Sequence, residues 1–156
     1  MNKLAKLKAM SGNERRWLLQ AWLLLPVVRF LLWQIGYRRT LSNLQRLFPL
    51  NSGNPDVGLA STAEKQQYAV TLGRLVNMAA NHSLLAINCL PRSLVLWAML
   101  RRAGLAADLR IGVQKEADLF AAHAWVEYAG VPIDDQNSGQ YVPILSSFAP
   151  LESETS

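Results

Sequence analysis

Cysteine and histidine are scarce in this sequence of 156 residues, which contains one cysteine, Cys89, and two histidines, His82 and His123. A single cysteine has no partner within the chain, so the fold does not depend on an internal disulfide. This usage is typical of a reducing compartment, and we expect a cytoplasmic protein with a free thiol. One cysteine and two distant histidines lack the ligand spacing of a metal site. No glycine-rich phosphate loop is present either, so we expect no metal and no cofactor.

Acidic residues are nearly absent from the N-terminal third of the chain. Residues 1–46 contain nine lysines and arginines but one acidic residue, Glu14. Such a bias attracts nucleic acid, anionic lipid or an acidic partner protein. The segment therefore supports a non-enzymatic alternative for the whole chain, a module that binds a membrane or a peptide.

A long uninterrupted apolar run is also missing. Polar side chains interrupt residues 17–35, and Pro26 would kink or restart a helix there. The longest run without a polar residue, 21–28, is too short to span a membrane. No small-residue cleavage site of a signal peptide follows it. We predict that residues 1–50 form a basic, apolar segment of two short helices that packs on the domain. The alternative is a peripheral membrane contact through three tryptophans, Trp17, Trp22 and Trp33.

Helical periodicity organises the first 50 residues. It predicts one helix over 13–25, capped by Asn13, and a second over 27–47 with Gly36 as its weak point. Residues 51–56 are rich in Asn, Ser, Gly and Pro, a composition that predicts a loop. This loop separates the basic segment from the rest of the chain.

The remaining chain predicts a single core domain over residues 57–150. Its first element is a helix over 61–82, for which Ser61 or Thr62 is the expected cap. The polar residues 151–156 are expected to fray.

A sharper signal begins at Asn88, a good N-cap residue for a helix that ends at the glycine C-cap Gly104. Residues 108–113 and 121–128 then alternate as strands do, and residues 129–130 turn the chain back. The predicted class is α+β: N-terminal helices, a central helix with the cysteine at its N-terminus, and a small antiparallel sheet.

Cys89 would lie at the start of this central helix. Backbone N–H groups and the helix dipole stabilise a thiolate there, and the thiolate is the nucleophilic form. A buried structural cysteine is the alternative. His123 lies mid-strand and is followed by two acids, which is the order of a thiolate–imidazolium pair with an orienting carboxylate. The backbone N–H of Cys89 is a candidate oxyanion donor. Asn88 is a weaker candidate, because capping would occupy its side chain. The other histidine, His82, has no acid nearby and is not a candidate base.

Two acids, Asp134 and Asp135, follow the hairpin, and the loop length decides which one shares the face of His123. A two-residue loop pairs Tyr128 with Val131 and puts Asp134 on that face. A three-residue loop puts Asp135 there instead. The residues themselves leave both alternatives open.

Four blocks of the sequence resemble the lasso-peptide leader peptidases, which are transglutaminase-like, papain-related cysteine proteases. In chain order the blocks are NCLPRSL (88–94), LRRAGL (100–105), LRIGV (109–113) and HAWVE (123–127). The likeness is close over residues 88–135 and looser over the basic N-terminal segment.

The resemblance implies removal of the leader from a ribosomally made precursor, after which an ATP-dependent cyclase closes the macrolactam ring. It implies Cys89 as nucleophile, His123 as base and Asp135, twelve residues after the histidine, as the orienting acid. The choice of Asp135 requires the three-residue loop.

The resemblance also implies partners. The family's fused members carry an N-terminal leader-recognition domain, for which this chain is too short. We therefore expect a stand-alone protease that works with a leader-recognition protein in trans, with the leader of its precursor peptide and with the lasso cyclase. Nucleic acid is not an expected partner.

An acyltransferase of the transglutaminase type is a second enzymatic alternative. It would use the same three side chains and pass the acyl group to an amine instead of water. Because acceptor choice depends on the shape of the pocket, the sequence does not separate the two activities.

Overall fold

The computed structural model describes residues 10–50, 61–83, 85–116, 119–133, 135 and 138–147. The described residues form three helices followed by a four-stranded antiparallel sheet, which confirms the α+β prediction. The helices are α1 (Gly12–Leu47), α2 (Thr62–Asn81) and α3 (Cys89–Arg102). The strands are β1 (Ala107–Glu116), β2 (Leu119–Tyr128), β3 (Val131–Pro132) and β4 (Val142–Ser146), with a short 3-10 helix, Ser138–Gln140, before β4.

Two predicted segments, the loop at 51–56 and the tail at 151–156, lie outside the described residues. The division of the chain into a segment 1–50 and a core 57–150 therefore stays a prediction.

Helix α1 begins earlier and breaks later than the periodicity predicts. Ser11, not Asn13, is the N-cap: its hydroxyl accepts from the Glu14 N–H, and the Glu14 carboxylate accepts from the Ser11 N–H. Pro26 lies inside the helix, and the break comes at Gly36, which has φ 76° and ψ 175°. The predicted boundary at Pro26 is wrong, because the helix continues through the proline and loses only the hydrogen bond that proline cannot donate. At Gly36 the glycine readily takes a positive φ, and this ends the helical geometry.

The apolar side chains of α1 divide between the core and the surface. Ala21, Leu25 and Val28 are buried. An exposed apolar stripe runs along the same helix and consists of Leu19, Trp22, Leu23, Val27, Phe30 and Trp33. Trp17, by contrast, packs edge-on against Tyr68 of α2.

Helix α1 is long and apolar enough to cross a membrane. Its 18-residue window reaches a mean hydropathy of 1.6, and 17% of that window is buried. By its length and composition the helix qualifies as a candidate membrane span, even though polar residues interrupt it. The shortness of the run 21–28 therefore does not exclude a membrane span. Core helices and signal sequences pass the same test, so this property alone does not put the helix in a membrane.

Helix α2 starts where the sequence predicts. Ser61 is the N-cap, and Glu64 completes a reciprocal capping box with it. The buried face includes Leu72, Leu75, Val76 and Ala79. Tyr68 borders this face, and its burial raises the pKa of the phenol to about 12.

Helix α3 ends in a Schellman motif. Gly104 has φ 77°, and its N–H donates to the carbonyl of Arg101 at 2.9 Å. The N–H of Leu105 donates to the carbonyl of Leu100 at 3.0 Å. These bonds satisfy carbonyls that the end of a helix leaves unpaired, and they confirm the predicted glycine C-cap.

Two buried hydrogen bonds join α3 to the sheet. The Ser93 hydroxyl donates to the carbonyl of Ala124 on β2 at 2.8 Å. The Trp97 indole N–H donates to the carbonyl of Ala107 on β1 at 3.0 Å. They hold the first turns of α3 against the strands that pair beneath it.

The sheet has the strand order β3-β2-β1-β4. Strands β1 and β2 pair along their length and put Gly112 directly opposite His123. Strand β4 pairs with β1, and its register shifts between Ile111 and Gly112. A Cβ atom at Gly112 would lie 2.8 Å from the Trp125 ring and 2.8 Å from the Val142 carbonyl oxygen, so this close approach requires glycine.

We predict that Gly112→Ala lowers the free energy of unfolding by about 1–3 kcal/mol, because a ring and a backbone oxygen would both have to move. Gly139→Ala is the matched control, since a Cβ there meets nothing within 4 Å. Its effect should stay within about 0.5 kcal/mol. Urea unfolding of both variants measures the difference, and equal losses would contradict the packing argument.

Candidate active site

Cys89 is the first residue of α3 and is half-buried, with a free thiol. The first N–H groups of a helix have no partner within the helix, so they and the dipole present positive charge at this end. A sulfur at this position is therefore well placed to carry negative charge. The helix start matches the sequence prediction.

His123 and Asp135 form a direct contact, with 2.5 Å between Nε2 and Oδ2. Their side chains are 21% and 14% exposed, so the pair is largely shielded from water. The imidazole also contacts the rings of Trp125 and Tyr141, at centroid distances of 6.0 and 4.9 Å. Because Asp135 occupies Nε2, the other ring nitrogen, Nδ1, is left for proton exchange with a thiol.

Cys89, His123 and Asp135 line one cavity of about 310 Å³. The first turn of α3, strand β2 and the segment that follows β3 form most of its wall. Helix α2 closes it through Val76 and Asn77. A nucleophile, a base and an acid that orients the base are the parts needed for acyl transfer through a covalent intermediate.

The acid that contacts His123 is Asp135, but the register expected for it is wrong. Tyr128 pairs directly with Val131, so the loop has two residues and not three. Strand β3 is two residues long, and beyond it the alternation of faces no longer applies. Asp135 therefore reaches the histidine from outside the ladder of strand pairs. Asp134 lies outside the described residues.

The turn itself explains the two-residue loop. Ala129 and Gly130 have φ of 51° and 75°, and two successive positive φ values define the type I′ turn preferred between twisted strands. Glycine takes such values readily, but alanine does not. Because alanine is uncommon at such a position, the turn has no clear signature in the sequence.

Two cavity residues, Arg92 and Asn77, and one neighbour of His123, Tyr141, were not singled out by the sequence patterns. Arg92 lies one helical turn after Cys89, and that i+3 spacing could have placed it on the same side of α3. Asn77 supplies the one side-chain amide among the described residues that line the cavity. Tyr141 contacts His123 from the chain just before β4. No local pattern identifies Asn77 or Tyr141, because both reach the site through tertiary packing.

Two residues considered from the sequence lie outside the cavity. Asn88 is exposed, makes no side-chain cap hydrogen bond and lines a separate groove beside α1. His82 is exposed at the C-cap of α2. Within the part of the chain that the structure describes, no group of three or more His, Cys, Asp or Glu side chains could hold a metal ion.

Comparison with known proteins gives one family. A comparison with curated proteins and one with solved structures yield no significant match. The sequence profile of the transglutaminase-like superfamily matches residues 31–146, a stretch that includes Cys89, His123 and Asp135. Since this match covers well over half of the chain, the protein belongs to the transglutaminase-like superfamily, whose members usually act through a catalytic cysteine.

Proposed function

We propose that this protein is a cysteine protease that removes the leader peptide from a lasso-peptide precursor. One observation carries the proposal: Cys89 lines the same cavity as His123, whose ring is bonded to Asp135. Superfamily membership supports cysteine-based acyl chemistry in general. The finer assignment rests on the four sequence blocks that resemble the leader peptidases.

In the proposed mechanism His123 takes the thiol proton of Cys89, and the thiolate attacks the carbonyl carbon of the scissile peptide bond. The C–N bond then breaks, and His123 returns the proton to the leaving amine. A water molecule, deprotonated by the same imidazole, hydrolyses the thioester and releases the leader. Asp135 holds the ring in one orientation through both steps.

Negative charge develops on the carbonyl oxygen during the attack. The backbone N–H of Cys89 lies at the start of a helix and is the main-chain donor we assign to this oxyanion. Asn77, on α2, provides a side-chain amide in the wall of the same cavity. We propose Asn77 as the second donor in place of Asn88, the weaker candidate from the sequence, which lies outside the cavity.

Replacement of Cys89 or His123 should abolish leader removal. We expect Cys89→Ser to lower the cleavage rate by about 10³-fold or more, and His123→Ala by about 10²- to 10⁴-fold, the usual contribution of a general base. Mass spectrometry of the precursor, incubated with the recognition protein and each variant of this protease, measures cleavage. It also identifies the acceptor, since hydrolysis adds one water to the leader and transfer to an amine does not. Wild-type rates in either variant would contradict the assignment.

Asp135 should act by orienting His123. We expect iodoacetamide to alkylate wild-type Cys89 faster than free cysteine at the same pH, and His123→Ala to lose this advantage. Asp135→Ala and Asp135→Asn should both lose much of it, because Ala removes the acceptor and the neutral Asn amide can donate to the ring and hold the wrong tautomer. Alkylation rates followed by intact mass measure the effect. Wild-type rates in both variants would contradict an orienting role.

The exposed stripe of α1 is the surface we propose for the leader-recognition protein. A groove of about 670 Å³ lies between this helix and the first turn of α3, and its wall includes Phe30, Trp33 and Leu90. Arg29 donates from α1 to the carbonyl of Ala86, three residues before Cys89. A concave apolar groove fits a protein or peptide segment better than a flat bilayer, and a partner seated there would present the leader beside the nucleophile. We propose that this assembly works in the cytoplasm with the ATP-dependent cyclase.

Trp33→Ser should therefore weaken recognition-protein binding by about tenfold or more, as expected for an aromatic side chain that the partner buries on binding. Leu47→Ser is the control, because Leu47 is on the same helix and 71% exposed, against 78% for Trp33. Titration calorimetry with the recognition protein measures binding, and alkylation of Cys89 should be unchanged in both variants.

A second set of variants tests the charge of this surface. Neutralising four arginines, Arg15, Arg16, Arg38 and Arg39, should weaken the same complex, and unchanged binding would contradict the docking proposal. Co-sedimentation with phosphatidylglycerol vesicles tests the membrane alternative. Loss of vesicle binding in Trp33→Ser, with partner binding intact, would favour a membrane contact instead.

A further inference from the structure

The active-site cavity contains an arginine that forms no ion pair with any described acidic side chain. Arg92 lines the cavity together with Cys89. Its Nε atom is buried and has no hydrogen-bond partner. Its Nη2 donates one long hydrogen bond, 3.4 Å, to the carbonyl of Ile87. A guanidinium has five N–H donors, so most of them make no bond within the described part of the chain.

Arg110 shows how the same chain satisfies an arginine that has a structural role. Its Nε is 2.8 Å from Asp108 Oδ2 and 3.2 Å from Glu127 Oε2, so one guanidinium meets two carboxylates. Buried N–H groups without partners are rare and costly in folded proteins. The difference between the two arginines is explained if the partner of Arg92 arrives with the substrate.

We propose that Arg92 binds a carboxylate of the peptide substrate beside the scissile bond. This inference rests on the proposed function and narrows its substrate class to peptides with an acidic group at that place. Residues i and i+3 of a helix have Cβ atoms about 5–6 Å apart, so the Arg92 guanidinium can hold a group next to the carbonyl that Cys89 attacks. The planar guanidinium matches a carboxylate with two parallel hydrogen bonds, which gives direction as well as affinity.

The test compares two reagents that alkylate Cys89 and differ in charge. Iodoacetate carries a carboxylate, and iodoacetamide is its neutral analogue. The measured quantity is the iodoacetate rate divided by the iodoacetamide rate. We expect this ratio to be higher for the wild-type protein than for free cysteine. Arg92→Gln should lower it about tenfold, the loss expected for a hydrogen bond to a charged group. Arg92→Lys keeps the charge without the planar fork and should give an intermediate ratio.

The outcomes separate this role from stabilisation of the thiolate. If Arg92 only stabilised the thiolate, Arg92→Gln would slow both reagents equally and leave the ratio unchanged, which would overturn the proposal. A wild-type ratio equal to that of free cysteine would also overturn it. Slow iodoacetamide alkylation that is insensitive to His123→Ala would count against the proposed protease function. The ratio would still report on Arg92, because it does not depend on the absolute rate.

Protection of the wild-type protein gives a test that needs no variant. Acetate should slow alkylation of Cys89 by iodoacetamide, and acetamide should not. N-acetylglutamate α-amide carries only a side-chain carboxylate, and N-acetylglutamine carries only an α-carboxylate. Protection by the first indicates an acidic residue beside the scissile bond, and protection by the second indicates a C-terminal carboxylate. Protection by none of these carboxylates would overturn the proposal.

Discussion

The hydrogen bond from the Ser93 hydroxyl to the carbonyl of Ala124 joins the helix that begins with Cys89 to the strand that carries His123. Ser93 lies one turn beyond the cysteine, and Ala124 is adjacent to the histidine. A buried hydroxyl costs free energy unless it is bonded, so this contact favours one position of the helix on the sheet. The Trp97 indole makes a similar bond one turn further along. The two directional bonds set the position of the helix that carries Cys89 relative to the strand that carries His123.

Local signals predicted the parts of the fold that depend on local chemistry. The sequence narrowed the cap of α2 to Ser61 or Thr62 and predicted the C-cap at Gly104, because capping is decided within one turn of the helix end. The positions of Cys89 and His123 followed from the elements that carry them. The break in α1 was misplaced, because periodicity does not tell whether a helix tolerates Pro26 or yields at Gly36.

The acid shows the limit of reasoning from register. The alternation of faces along paired strands predicts which acid lies beside His123 only if the pairing continues as far as the acid. Strand β3 stops after two residues. Asp135 was identified through the family resemblance, and its contact depends on a segment that no strand pairing controls. Asn77 and Tyr141 are similar cases, since α2 brings Asn77 to the cavity and the chain before β4 brings Tyr141 to the His123 ring over a long sequence distance. The exposed stripe of α1 is also a tertiary property, because buried and exposed apolar side chains alternate along one helix.

The charged groups of the cavity divide by whether the protein itself satisfies them. Asp135 is bonded to His123, and this internal pair fixes the geometry of the base before any substrate binds. Arg92, in the wall of the same cavity, has a buried Nε with no partner among the described residues. Leaving such a donor unpaired lowers the stability of the free protein, and an acceptor that enters the cavity recovers this free energy as binding affinity. A site of this kind separates the residues that prepare the reaction from the residue that selects what reacts.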